Sequence, residues 1–355
     1  MRIFVFEFIT GGGWFLIDKV NAPTGSLLRE GNAMLQAVAE DFSAIDGVEV
    51  VTLIDARLAS GPLASPMQSR EAATADCTNQ RRTAPIKSVA ELHEQFMHAA
   101  GLADFTLVIA PEFDNHLANF AQKVTRARGR LLSPSAKFIQ LTSNKHRTAQ
   151  WLGNANVPTP HGLLVSKGKT IPSDFPFPAV LKPIDGAGSL DVQRIEDVAQ
   201  LATWPRPATM RLEQFHPGTP VSVAAIGGPT GFTLLPPCLQ KLSSDGNFTY
   251  LGGECPIDDA LAKRASRLAE RALRSFLRPN GYIGIDMVLG NDPSGNDDVV
   301  IEVNPRLTTS YVGLRKLVRE NLAAAMLAAA QGQAFELSTH PHRVKFAADS
   351  SADII

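Results

Sequence analysis

The stretch that decides the fold is residues 281–306, which read GYIGIDMVLGNDPSGNDDVVIEVNPR. Its two ends alternate in the manner of half-buried strands, and residues 291–298 between them are rich in turn formers. This pattern predicts a hairpin in which Asp286 and Glu302 project from one face and Asn304 lies beyond the strand end. Three oxygen donors around one point are suited to Mg²⁺. The alternative is a hairpin whose acidic side chains are merely solvated.

Composition points to a multidomain protein that acts on small molecules. A chain of 355 residues exceeds the usual size of one hydrophobic core, so two or three domains are expected. Lys and Arg total 34 against 35 for Asp and Glu, so no overall field favours nucleic acid or an anionic membrane. The scattered Cys77, Cys238 and Cys255 match neither a disulfide framework nor a zinc site, which predicts a reducing cytoplasm.

The opening residues do not resemble a signal peptide. The apolar run of residues 1–9 is short, is interrupted by Glu7 and continues into glycines without a small-residue cleavage site. No apolar run of about 18 residues follows, so no membrane span is expected. A cytoplasmic location is therefore predicted.

The first third of the chain alternates between strand and helix patterns. Strands are predicted at residues 2–9, 48–54 and 105–110, and helices at 27–42, 88–100 and 117–128. Residues 61–85 are predicted to be an irregular surface excursion. The alternation favours a parallel sheet with helices on its faces.

Open sheets of this kind bind ligands at the carboxyl ends of their strands. Glu7, Gly11, Gly12 and Glu112 are predicted to lie at such ends. The glycines would let a ligand approach the backbone, or they form only a flexible connection. The two acids would contact a substrate, or neighbouring backbone groups satisfy them.

The rest of the chain lacks this regular alternation of strands and helices. It predicts helices at 136–152, 195–201, 258–277 and 318–330, strands at 179–182 and 210–215, and a hairpin from 221–226 and 231–236. A polar excursion is expected up to residue 254, and the final twenty or so residues show little periodicity.

Two lysines are candidates for binding phosphate. Lys182 ends a predicted strand and precedes a loop of small residues that includes Asp185, Gly186, Gly188 and Ser189. A fixed cation beside several backbone N–H groups describes a phosphate cradle, although the loop lacks the Gly-Lys-Ser/Thr of the Walker motif. A surface turn is the alternative there.

Lys145, beside His146 and Arg147, is by itself typical of a solvated helix face. In the motif Glu213-Gln214-Phe215, a nucleobase would lie against Phe215 and bond to Glu213 or nearby backbone.

The order of these motifs is more specific than any one of them. Lys145, Lys182 with its loop, Glu213–Phe215, Asp286 and Glu302–Arg306 together resemble the ATP-grasp superfamily over roughly residues 128–330. The resemblance implies an α/β protein with an N-terminal parallel α/β (pre-ATP-grasp) domain and an ATP-grasp fold of two α+β lobes. The expected division has four parts: the N-terminal pre-ATP-grasp domain at residues 1–128, a small lobe with the glycine loop and linker at 129–216, a C-terminal lobe with the metal site at 217–335, and a tail at 336–355.

The resemblance also implies roles for the candidate residues. Lys145 and Lys182 would hold the α and β phosphates of ATP, and the loop from Asp185 to Ser189 would close over the γ-phosphate. Adenine would lie at Glu213, Gln214 and Phe215, and two Mg²⁺ ions, or Mn²⁺ in their place, at Asp286, Glu302 and Asn304. Lys182, Arg306 and Ser310 would be the catalytic residues, with Arg306 beside the reacting carboxylate or acyl phosphate and Ser310 close by. Lys241 would be a further phosphate contact, and Gly253 would shape the acceptor side.

Two positions depart from the superfamily pattern. Pro220 stands where many members have an acid that grips the ribose hydroxyls, and Asn144 stands where Asp commonly precedes the first lysine. The first departure leaves the ribose contacts and the choice of nucleotide open. Neither removes a phosphate or metal ligand.

Further motifs resemble one branch of the superfamily, which contains tyramine:L-glutamate ligase of methanofuran biosynthesis. They are residues 6–13, 110–112, 239–241 and 250–253. The resemblance implies a ligase that joins the γ-carboxylate of glutamate to a primary arylalkyl amine through an acyl phosphate, releasing ADP and phosphate. Glu7, Gly11, Gly12 and Glu112 would then lie near the amine.

Other functions stay open at this point. The same ATP site would serve a small-molecule kinase or a carboxylase, although a carboxylase would need bicarbonate and a biotinyl partner. A catalytically silent nucleotide-binding module is the non-enzymatic alternative, with Pro220 as its main support. The sequence is compatible with a homodimer and does not fix the oligomeric state.

Overall fold

The structure is a computed structural model that describes residues 1–58, 81–166, 171–186, 188, 190–204, 208–348 and 352–354. The described residues form three sheets, flanked by helices. Ser189 and Cys77 lie outside the described residues. Within the described part of the chain, no helix is both long enough and apolar enough to cross a membrane.

The first sheet is parallel, as the sequence predicts. Its strands are ordered β3-β2-β1-β4, from β1 (Arg2–Glu7), β2 (Glu49–Asp55), β3 (Arg81–Ile86) and β4 (Phe105–Ile109). The central strands are continuous apolar runs because helices cover both faces of such a sheet. Strand β3 overlaps a segment that the sequence predicted to be irregular. It was not recognised because it is a polar edge strand that contains a proline.

The helices of this domain are α1 (Gly25–Ser43), α2 (Val89–Leu102) and α3 (His116–Arg126). Because β1 and β4 are parallel neighbours, their carboxyl ends meet at one edge of the sheet. Glu7 ends β1 and Glu112 follows β4, so both acids lie at this edge as expected.

The helix predicted at residues 136–152 is two helices. They are α4 (Ala136–Thr142) and α5 (Lys145–Asn154). Asn144 separates them because its backbone is extended and its side-chain oxygen accepts a hydrogen bond from the Arg147 amide, which caps α5. This cap places Lys145 in the first turn of the new helix.

The second sheet is antiparallel, with the order β5-β8-β6-β7. Its strands are β5 (Gly162–Val165), β6 (Ala179–Pro183), β7 (Gln193–Ile195) and β8 (Met210–Gln214), accompanied by α6 (Val198–Thr203). It has its own small core around Leu181 and Leu212. The helix α5, by contrast, packs through Leu152 into the core of the third sheet.

The third sheet is the largest. It runs β14-β13-β9-β11-β12-β15-β16, with β10 paired to β9. Its strands are β9 (Thr219–Gly228), β10 (Gly231–Leu234), β11 (Cys238–Leu242), β12 (Tyr250–Cys255), β13 (Gly281–Leu289), β14 (Val299–Asn304), β15 (Val344–Ala347) and β16 (Ala352–Ile354). Both predicted hairpins are present, β9–β10 and β13–β14.

Two segments of the third sheet differ from the prediction. Residues 238–255 hold two strands where a polar excursion was expected, and the last part of the chain supplies β15 and β16. Both depend on pairing with distant strands rather than on a local pattern. The helices are α7 (Asp259–Arg274), α8 (Ser310–Leu317) and α9 (Leu322–Ala330); α8 was not predicted.

Helices α8 and α9 join the third sheet to the first domain. Their buried side chains share one hydrophobic core with the first sheet and α1. The hub of this contact is Asp41 of α1, which accepts hydrogen bonds from the Tyr311 hydroxyl at 2.6 Å and from the Arg315 guanidinium. The contact therefore fixes α1 of the first domain against α8.

Candidate active site

A cleft of about 470 Å³ opens between the second and third sheets. It brings together residues from motifs far apart in the sequence. Among the predicted site residues, its lining includes Lys145, Lys182, Asp185, Gly186, Gly188, Glu213, Gln214, Phe215, Asp286, Glu302, Asn304, Arg306 and Ser310.

The three predicted metal ligands converge at the hairpin. Asp286 and Glu302 are directly paired across β13 and β14, and the Asn304 amide donates to Asp286 Oδ2 at 2.8 Å. Gln240 of β11 donates to the other Asp286 oxygen at 2.9 Å. Burial and the neighbouring Glu302 carboxylate raise the pKa of Asp286 to about 7. A divalent cation would relieve this repulsion, so the donor set fits Mg²⁺.

Lys145 is held between the hairpin and the glycine loop. Its Nζ lies 3.1 Å from Glu302 Oε2 and donates to the Gly186 carbonyl at 3.1 Å, and its backbone amide donates to the Ile184 carbonyl at 2.7 Å. Burial alone would lower the pKa of Lys145, but the carboxylates of Glu302 and Glu112 raise it. The ammonium is therefore charged and fixed at the start of α5.

Lys182 and Glu213 form a buried pair. Lys182 Nζ lies 2.5 Å from Glu213 Oε1, while Arg211 Nε donates to Glu213 Oε2 at 2.7 Å. Both Glu213 oxygens are thus held by cations. The pairing positions the Lys182 ammonium and occupies the side chain that the sequence assigned to adenine.

An aromatic pair lines the cleft. Phe215 and Phe248 stack with ring centroids 6.1 Å apart and planes at 21°, and the Arg194 guanidinium lies 4.5 Å from the Phe215 ring centroid. The sequence analysis did not identify Phe248, because it sits in the β11–β12 loop far from the other motifs. Pro220 lines the same cleft, as do Ser243 and Ser244 of that loop.

Arg306 links the hairpin to the first sheet. Its Nε donates to Glu112 Oε1 at 2.9 Å and its Nη1 donates to the Leu307 carbonyl at 3.2 Å. Glu112 Oε2 is buried and has no hydrogen-bond partner among the described residues. The Ser310 hydroxyl lies 2.9 Å from that of Thr308.

Glu7, Gly11 and Gly12 do not line the cleft. The Glu7 carboxylate accepts hydrogen bonds from the amides of Ile9 and Thr10 and from the Thr10 hydroxyl. A Cβ on Gly11 would lie 2.4 Å from the Glu7 carbonyl oxygen, and Gly12 has φ of +90° with its Cβ position 2.7 Å from Ile86. These residues form a tight turn, and glycine is needed at positions 11 and 12 because the packing leaves no room for a Cβ.

Lys241 and Gly253 also lie away from the cleft. Lys241 is exposed, because the alternation of β11 turns its neighbour Gln240 inward instead. A Cβ on Gly253 would lie 2.6 Å from the Phe346 ring of β15. Gly253 therefore makes room for a strand. Ser189, assigned to the phosphate loop, lies outside the described residues.

Glu30 is a cleft residue that the sequence analysis missed. It lies on α1 of the first domain and lines the cleft beside Arg306. Its helix carries no recognisable motif, so only the packing of α1 against α8 and α9 brings it to the site.

Two family models match the chain. One, described as an ATP-grasp domain, matches residues 142–310, and one described as a pre ATP-grasp 3 domain matches residues 48–139.

Two curated relatives are named tyramine–L-glutamate ligase. The relative from Methanocaldococcus jannaschii is 28% identical over 212 residues, which cover 60% of this chain and 58% of the relative. The relative from Methanocaldococcus fervens is 28% identical over 214 residues, covering 60% and 62%. The aligned region is thus about three fifths of each relative's length.

Solved structures share the architecture at low identity. An ATP-grasp superfamily protein from Archaeoglobus fulgidus superposes with a TM-score of 0.68 at 20% identity, covering 97% of this chain and 92% of that chain. The N5-carboxyaminoimidazole synthetase of Staphylococcus aureus, complexed with ADP, gives 0.67 at 14%, covering 97% and 82%. The L-amino acid ligase of Bacillus licheniformis gives 0.64 at 14%, covering 97% and 78%.

The matched domains and the shared architecture agree with the order of motifs around the cleft: the chain carries an ATP-grasp domain at residues 142–310, preceded by a pre-ATP-grasp domain at residues 48–139.

Proposed function

We propose that the protein is an ATP-dependent ligase that joins a carboxylate to a primary amine through an acyl phosphate and releases ADP and phosphate. The observation that carries the proposal is the convergence of Lys145, Lys182, the Asp286–Glu302–Asn304 set and Arg306 on one cleft. The names of the curated relatives support the same reaction type.

The chemical difficulty is electrostatic. A carboxylate that attacks the γ-phosphate of ATP brings two negative groups together, so the site must neutralise charge and align the reactants. Lys145 and Lys182 are held by Glu302 and Glu213 at positions where their ammonium groups face the cleft. Mg²⁺ ions held by Asp286, Glu302 and Asn304 would neutralise the phosphate oxygens.

Different residues of the cleft suit different parts of the reaction. The Phe215–Phe248 pair provides apolar surface for a nucleobase, next to Gln214. Arg306 also lines the cleft and offers a guanidinium to the donor carboxylate and then to the acyl phosphate. The acceptor amine attacks the acyl carbon, the C–N bond forms, and phosphate leaves with the electrons of the C–O bond.

The proposed substrates are L-glutamate, through its γ-carboxylate, and an arylalkyl amine such as tyramine. The relatives' names and the branch motifs support this choice. The product would be a γ-glutamyl amide of the kind required for methanofuran biosynthesis.

Turnover assays test the reaction type. Purified protein with Mg-ATP is expected to form ADP and phosphate when L-glutamate and a primary amine from a panel that includes tyramine are both present. Lys182→Ala and Glu302→Ala are expected to lower the rate by about 100-fold or more, since each removes charge stabilisation at the phosphates. Formation of AMP would contradict the proposal, and so would ATP binding without turnover for every acid and amine.

A further inference from the structure

A second cavity of about 40 Å³ lies next to the cleft, on the side of the first sheet. Its walls are mostly apolar side chains from α1 and from the end of β4, including Leu27, Met34 and Ile109. Glu30, Gly188 and Arg306 line both spaces. These three residues therefore border the passage between the cleft and the second cavity.

Glu30 differs from the other glutamates around the site. Glu302 is paired with Lys145, Glu213 with Lys182 and Glu112 with Arg306. The Glu7 carboxylate accepts hydrogen bonds from the backbone amides of Ile9 and Thr10 in the turn that follows it. Glu30 is partly buried, and among the described residues no hydrogen bond or ion pair engages its carboxylate.

We propose that the Glu30 carboxylate receives the ammonium group of the acceptor amine at this passage, opposite the donor held by Arg306. The proposal rests on the proposed function. Glu30, rather than Glu7, is then the residue that selects a charged amine, because the Glu7 oxygens already accept hydrogen bonds from Ile9 and Thr10.

The chemistry requires such a group. The acceptor arrives as an ammonium ion and must lose a proton before its lone pair can attack the acyl phosphate. Burial raises the pKa of the Glu30 carboxyl although the Arg306 charge opposes the rise, so proton transfer from an ammonium to Glu30 is easier than to a solvated carboxylate. One proton moves from the ammonium to Glu30, the amine nitrogen bonds to the acyl carbon as the acyl C–O bond breaks, and the phosphate departs with the second N–H proton.

The size of the second cavity limits what enters it. A space of about 40 Å³ accommodates a water-sized group and not a ring. The bulk of the acceptor therefore lies in the cleft, with its ammonium at the passage. Gly188 borders the passage on the side of α1, since a Cβ there would lie 3.3 Å from Leu27.

The test compares two nucleophiles, tyramine and hydroxylamine, in the unmutated protein and in Glu30→Gln, which keeps the shape of the side chain and removes its charge. Tyramine carries an ammonium, whereas hydroxylamine is largely uncharged near neutral pH and traps the acyl phosphate as a hydroxamate. Glu94→Gln is the matched control, because Glu94 is exposed on α2 of the same domain. ATP and L-glutamate are supplied in every assay.

We expect Glu30→Gln to lose about 10- to 100-fold in kcat/KM for tyramine, the usual effect of losing a charge-assisted hydrogen bond. Hydroxamate formation and the KM for ATP should stay within about threefold of the unmutated protein and of Glu94→Gln, because neither involves an ammonium. The inference is overturned if tyramine turnover is unchanged, or if hydroxamate formation falls equally. Absence of hydroxamate from the unmutated protein would instead overturn the proposed function beneath it.

Discussion

At the scale of single residues, Asp286 is held from two sides. Gln240 donates to one of its oxygens and Asn304 donates to the other. These contacts orient the carboxylate toward the cleft and lessen the cost of burying it beside Glu302. Gln240 comes from β11, so the proposed metal site depends on a strand outside the hairpin.

This contact gives a testable difference between two neighbours. Gln240→Ala is expected to raise the Mg²⁺ concentration needed for half-maximal ATP turnover by about 10-fold, because partners that orient a metal ligand typically have effects of that size. Lys241→Ala is the matched control, since that side chain is exposed and points away from the cleft. A Mg²⁺ titration of ADP formation measures both variants. If Lys241→Ala shifts the requirement and Gln240→Ala does not, the register assigned to β11 is wrong.

The same pair of residues shows what the sequence could not supply. A lysine near other site motifs predicts a phosphate contact, but which of two adjacent side chains faces inward depends on strand register. Register is set by the partners β9 and β12, which are not recognisable as such from the local pattern. Glu30 was missed for a related reason, because its role depends on the docking of a distant helix.

At the scale of elements, β15 packs tightly against β12. Gly253 is paired with Phe346, and a Cβ on Gly253 would lie 2.5 Å from the Leu239 carbonyl oxygen as well as 2.6 Å from the Phe346 ring. The glycine thus allows the last part of the chain to complete the third sheet.

Gly253→Ala is therefore expected to destabilise the protein by about 1–3 kcal/mol, the usual range for overpacking a filled site. Gly153→Ala serves as control, because nothing lies within 4 Å of a Cβ at that helical position and alanine favours helix by about 0.5–1 kcal/mol. Chemical denaturation measures both changes. Wild-type stability with altered amine specificity in Gly253→Ala would restore the acceptor-side role that the sequence suggested.

Elements with a strong local pattern were predictable, and elements defined by their neighbours were not. The apolar runs of β1 and β4 and the hairpin around Asp286 are confirmed, since burial on one or both faces leaves a visible periodicity. Strands β3, β15 and β16 carry polar or short sequences whose structure comes from pairing. Asn144 splits a predicted helix because one capping side chain outweighs the weak helical pattern around it.

At the scale of the whole molecule, the site is assembled from both domains. Glu112 of the first sheet holds Arg306 of the hairpin, and α1 brings Glu30 to the cleft. The Asp41 contacts to Tyr311 and Arg315 support this docking, and the Asn321 side chain donates to the Asp41 carbonyl at 2.7 Å.

Removal of the Asp41 side chain should lower the stability of the protein. Asp41→Ala leaves the Arg315 charge and the Tyr311 hydroxyl without their buried partner, so we expect a loss of about 3 kcal/mol in the free energy of unfolding. Glu40→Ala is the control, because Glu40 pairs with the same arginine but has a side chain that is 71% exposed, against 11% for Asp41. Its effect should be below about 1 kcal/mol. Equal losses in the two variants would show that docking does not depend on Asp41.

The central claim is that the cleft forms an acyl phosphate. Its most direct test is isotope transfer from L-glutamate labelled with ¹⁸O in the γ-carboxylate, incubated with the protein, Mg-ATP and the amine that supports turnover. We predict ADP together with phosphate that carries one ¹⁸O atom from the carboxylate, as read by mass spectrometry. Label in AMP, or amide formation with unlabelled phosphate, would contradict it.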